Sequence, residues 1–184
     1  MDHSGSRQNA SSPRAVAAYL ISLKPVLAGA TATRQQWVRR IGLLMADTRH
    51  GNATSLAHAA GAIGREHISS FRETRRNLDR LHPPPTCRTC HLALAGWIDR
   101  LVESSDVLME IGQSLDLKRL RETQDLLMEA RTFARQFNSE YSVLVTNLRA
   151  LVATATKVKS ERVAVPPERT PPPARRPGTP RRRV

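Results

Sequence analysis

The string Cys87-Arg88-Thr89-Cys90-His91 gathers the chain's two cysteines and one of its six histidines. Three chemistries use residues of this kind at this spacing. C-x-x-C-H is the attachment signature of c-type haem. Two thiolates three residues apart, with His91 and the nearby His82 as further ligands, form half of a zinc site. Two thiols one helical turn apart also make a redox pair, in which the first is activated and the second resolves.

The surrounding residues rank these chemistries. Haem attachment needs export to an oxidising compartment, and the start "MDHSGSRQNASSP" has no apolar stretch behind a basic segment. A c-type haem is therefore not expected. A structural zinc site takes four protein ligands, yet no second C-x-x-C or H-x-x-x-H follows, and His58 and His67 lie on another segment. For the redox pair, Thr86 reads as a helix cap that puts Cys87 in the first turn, where the helix dipole favours a thiolate. A thioredoxin-like site would need a preceding strand, and none is readable. Against all three stands packing: Cys90 heads a helical stripe through Leu94, Trp97, Ile98 and Leu101. Packing is the leading reading, with a thiol switch or a zinc site at Cys87 and Cys90 as alternatives.

Elsewhere no enzyme signature emerges, and the chain is read as non-enzymatic. Glu66-His67 lacks the second histidine of a zinc protease helix, and Asp106 with Glu110 reads as a solvated helix face. Ser104, Ser105 and Ser114 have no recognisable base. Gly61-Ala62-Ile63-Gly64 is no phosphate loop, because neither a strand nor a Lys-Ser/Thr accompanies it. Those glycines read instead as places where helices approach closely.

The elements that would position these residues are all helical. Aromatics are only 4% of the residues, and Ala, Leu, Arg, Glu and Gln dominate, which favours helix over strand. One helix is expected over 13–49, with Ser12 as N-cap, Pro13 at its first position and a kink or break at Pro25. His50-Gly51-Asn52 reads as a turn. A second helix over 53–81 carries the stripe Leu56, Ala60, Ile63, His67, Ser70, Thr74, Leu78 and Leu81. Pro83 to Pro85 end it. The third is expected over 87–113, with Leu94, Ile98, Leu101, Ser105 and Leu108 inside and Trp97 and Val102 on its flank.

Asp116 then caps a fourth helix over 117–157. Its seam of Leu127, Ala130, Ala134, Phe137, Tyr141, Leu144, Leu148 and Leu151 alternates spacings of three and four. Short loops make sequential helices antiparallel neighbours. The fold is thus read as all-α: an up-and-down bundle of four long helices, or five if the first breaks at Pro25. A head of residues 1–12 and a Pro/Arg-rich tail of 158–184 are expected to be disordered around a bundle of 13–157.

The chain has 184 residues and a formal charge of +13, from 29 basic and 16 acidic residues. Such an excess favours acidic partners. Arginine far outnumbers lysine, as in proteins of GC-rich bacterial genomes. In the tail, Arg175, Arg176, Arg181, Arg182 and Arg183 are candidate contacts for nucleic acid or an acidic partner. There is, however, no helix-turn-helix spacing, finger or aromatic platform.

No window reaches the roughly 20 uninterrupted apolar residues of a membrane span; the closest, 15–30, is broken by Lys24 and Pro25. A cytoplasmic protein without a membrane span is expected. The function this reading supports is a scaffold or regulatory adaptor, self-associating or binding a partner through helix 117–157. A thiol- or zinc-responsive sensor and a nonspecific nucleic-acid binder are its alternatives.

Overall fold

A computed structural model describes residues 11–47 and 52–163. They form α1 (Pro13–Asp47), α2 (Ala53–Asp79), α3 (Arg88–Ser114) and α4 (Leu120–Val163), with single 3-10 turns at Pro85–Cys87 and Leu117–Arg119. The chain is an all-α up-and-down bundle of four long helices. The expected turn at His50-Gly51 and the expected disorder of head and tail concern residues outside the described ones, apart from the ends nearest the helices.

Side-chain caps mark the starts of α1 and α2 and of the 3-10 turn that leads into α4 at Leu120, three residues later than expected. Ser12 Oγ accepts from the Ala15 N–H at 3.2 Å, as its position before Pro13 predicts. Asn52 Oδ1 accepts from the Thr54 N–H at 2.9 Å, and Asp116 Oδ1 from the Lys118 N–H at 3.0 Å. Two expectations are corrected. α1 does not break at Pro25. The proline is exposed at the edge of a groove between α1 and α2, while Leu23 and Val26 stay buried in the core. α4 also runs beyond 157, to Val163.

α2 and α3 form the tight centre. A Cβ added to Gly61 would lie 2.7 Å from the Gly112 Cα, and one added to Gly64 would lie 2.5 Å from the Ser105 carbonyl oxygen. The two backbones therefore touch where side chains would hold helices 8–10 Å apart. The expected inner stripe of α3 is buried throughout. On the expected α2 stripe two positions differ. Leu81 falls past the helix end at Asp79 and is half-buried. Ser70 is exposed while its neighbour Phe71 is fully buried, edge-on to Trp37 at a ring distance of 6.0 Å. The larger apolar ring takes the core place that strict spacing assigned to the serine.

α1 packs on α2, and α4 packs on α3 along its heptad seam, but α1 and α4 touch each other only sparsely. Between them lies a row of surface hollows floored by Trp97 and Leu101 of α3. α1 is also more apolar than expected. It contains an 18-residue window of mean hydropathy 1.5, long and apolar enough by composition to cross a membrane, and Lys24 and Pro25 do not prevent this. One third of that window is buried within the bundle.

The glycine contacts predict opposite signs for one substitution. Gly64→Ala should destabilise the fold by about 1–3 kcal/mol, because the new methyl meets backbone that cannot yield. Gly42→Ala, with nothing within 4 Å, should stabilise by about 0.5–1 kcal/mol through helix propensity alone. Urea denaturation of both variants checks this, and equal shifts would contradict the packing.

Candidate functional site

The thiol region is built by the proline run. Pro84 and Pro85 lead into a single 3-10 turn, closed by the Cys87 N–H donating to the Pro84 carbonyl at 2.8 Å. Thr86 lies inside that turn and does not cap α3; its N–H donates to Ser11 Oγ at 3.3 Å. Cys87 occupies the cap position instead, and no side chain bonds the first amides there. The correction matters for reactivity. Cys87 and Cys90 are free thiols, but they are 0% and 1% exposed. Burial raises the Cys87 thiol above its ordinary value and pushes Cys90 up to about 12, further raised by the neighbouring Cys87 and by Glu140. The first-turn position does not create a low-pKa, accessible thiolate here.

His91 is brought to the same end of the bundle, where Tyr19 of α1 meets it. The Tyr19 hydroxyl lies 3.0 Å from His91 Nδ1. Burial, then the nearby Cys90 and Cys87, raise the tyrosine far above its ordinary value, so it keeps its proton. Burial and the Arg75 cation, only partly offset by Asp79, lower the histidine. The neutral imidazole therefore accepts from the tyrosine O–H, with its own proton on Nε2. Arg75 is held in turn by Asp99, at 2.6 Å, and by Asp79.

His82 is exposed. Among the described residues no group of three His, Cys, Asp or Glu is placed to hold a metal ion. His67 is buried and donates from Nδ1 to the Ile63 carbonyl at 3.0 Å, one turn back on its own helix. Ser105 likewise donates to the Leu101 carbonyl at 2.9 Å, and Asp106 pairs with Arg72. Arg175, Arg176, Arg181, Arg182 and Arg183 lie outside the described residues.

A second arrangement was missed from the sequence. The α1/α4 hollows, of about 270 and 340 Å³, are edged by Arg34 on α1 and by Arg131 and Arg135 on α4. The signal was present: neither Arg131 nor Arg135 has an acid three or four residues away on its helix, and α1 has none before Asp47. Pattern reading groups arginines by nearness in sequence, whereas these three meet only across the bundle. No protein family, curated protein or solved structure compared with this chain matches it. The geometry alone must carry the functional reading.

The titrations set a pH window for stability. The folded state holds the thiol protons more tightly than the unfolded chain, so stability should fall as pH climbs past the ordinary thiol value of 9.0 toward 12. The folded state binds the His91 proton more weakly, so stability should also fall as pH drops below 6.5. Denaturation midpoints across pH should show both limbs. Cys90→Ala should make the alkaline limb shallower, with the raised Tyr19 supplying part of what remains, and an unchanged alkaline limb would contradict the assignment.

Proposed function

We propose that this chain is a non-enzymatic interaction protein, a scaffold or regulatory adaptor, whose assembly element is α4. The observation that carries the reading is a mismatch of lengths. α4 has 44 residues and α3, the helix it packs on, has 27. At 1.5 Å per residue these are about 66 and 40 Å. Contacts between Gly96 and Phe133 and between Arg100 and Glu129 fix the antiparallel register. In that register the start of α3 lies near Tyr141, and the rest of α4 projects past it.

The inner side of this projection first meets the start of α1, where Val16 and Pro13 face Leu144 and Leu148. Leu151 borders the same hollow and is still 53% exposed, and Val152 beside it is 59% exposed. Exposed apolar residues at the end of the bundle, on a helix of heptad pattern, are suited to pairing with another helix. A second copy of the chain supplies an identical seam at no further requirement, as in other symmetric dimers.

Sedimentation velocity of the full chain tests this. The wild type should sediment as a dimer at about 100 µM, a range in which even weak pairs associate. Leu151→Glu with Val152→Glu should yield a monomer of unchanged helicity, since both positions are exposed. A wild-type chain that remains monomeric would overturn the self-association.

A further inference from the structure

The slot between α1 and α4 combines an apolar floor with uncompensated positive charge. Arg131 and Arg135 stand one turn apart, a like-charge pair that weakens a helix on its own. Arg34 faces the same hollows from the opposite wall. No acid lines either hollow, and none of the three arginines has an ion-pair partner among the described residues. Other arginines of the bundle, such as Arg39, Arg65 and Arg88, also form no ion pair among the described residues; what distinguishes these three is that they face one another across an apolar floor.

We propose that this slot docks an acidic amphipathic helix of a partner protein. The lining runs along α4 from Leu127 to Asn138, about 16 Å or three helical turns. An apolar ridge of the partner would lie over Trp97 between the walls, and carboxylates flanking that ridge would reach the arginine forks on both sides. Such a rim also speeds encounter with an acidic partner and repels basic ones.

Charge and shape argue against the other occupants. The C-terminal stretch 164–184 has five arginines in 175–183 and a single acid, Glu168, so it carries the same sign as the slot. A second copy brings a net +13, and Asp99, Asp106 and Glu110 on its α3 are already engaged by arginines. The slot is open, with Met128 61% and Val38 42% exposed at its rim, whereas small-molecule sites enclose most of their ligand. Trp97 is 7% exposed and offers no free ring face for stacking bases.

The inference rests on the interaction reading above but uses a different face, so Leu151→Glu with Val152→Glu should leave it intact. The test is fluorescence polarisation of the full chain with two labelled peptides of about 14 residues, long enough to fill three turns. Both carry leucines at i, i+3, i+4 and i+7; one has glutamates elsewhere and the other lysines. The glutamate peptide should bind saturably and more weakly as salt rises, and the lysine peptide should not bind.

Arg131→Glu with Arg135→Glu should cost the glutamate peptide about tenfold or more and admit the lysine peptide, as charge reversal at a rim requires. Arg34→Glu should repeat the loss from the other wall. Arg76→Glu with Arg80→Glu, an equal charge change at the C-terminal end of α2, should not. Thermal melts of the variants establish that these exposed substitutions leave the fold unchanged. An equal loss in the α2 control, or no saturable binding of the glutamate peptide, would overturn the proposal. So would anionic phosphatidylglycerol vesicles or single-stranded DNA binding in its place and being released by the same reversal.

Discussion

Two helices reach backbone contact only where neither presents a side chain, and here that happens along one line. Gly61 and Gly64 of α2 lie against Gly112 and the Ser105 carbonyl of α3. The contact leaves no room for a methyl group, so it fixes the register of the central pair as well as its spacing. Everything else is hung on that pair. α1 is laid along α2 with Trp37 against Phe71. α4 is laid along α3, where Phe133 covers the third close position, Gly96.

This arrangement explains why the bundle is not closed evenly. With α2 and α3 drawn together, α1 and α4 are carried on opposite flanks and share little surface of their own. The indole of Trp97 and the side chain of Leu101 fill the floor between them, and the arginines line the edges. The same geometry buries the thiols. α3 begins beneath the start of α1, so Cys87 and Cys90 are buried there, while His91 stays half-buried with its Nδ1 bonded to Tyr19. A motif that suggests reactivity becomes, by burial, a neutral and hydrogen-bonded corner of the core.

Much of the fold was legible in the residues. Ser12-Pro13, the proline run and Asp116 mark where helices begin and end, and the periodic stripes mark their inner faces. Gly61 and Gly64 announced close packing by their type and spacing. What failed did so for definable reasons. Thr86 looked like a cap, but three preceding prolines shape a 3-10 turn that moves the helix start by one residue. Ser70 fitted the spacing, yet Phe71 has the larger apolar surface to bury. The lack of acids one turn away from Arg34, Arg131 and Arg135 is legible in the chain. Their meeting at one slot is not, because Arg34 is far from the other two in sequence and meets them only once α2 and α3 have set the distance between their carriers.

The central claim is that a rigid α2–α3 pair holds α1 and α4 apart. Native-state hydrogen exchange tests it most directly, since it resolves the opening free energy of each helix. Amides of α2 and α3 around Gly61 and Gly112 should exchange only through global unfolding. Those of α1 between Leu27 and Val38, bordering the slot, should open at measurably lower free energy. Uniform protection of all four helices would contradict the account, because it would mean that α1 and α4 close on each other as tightly as the glycine-packed pair.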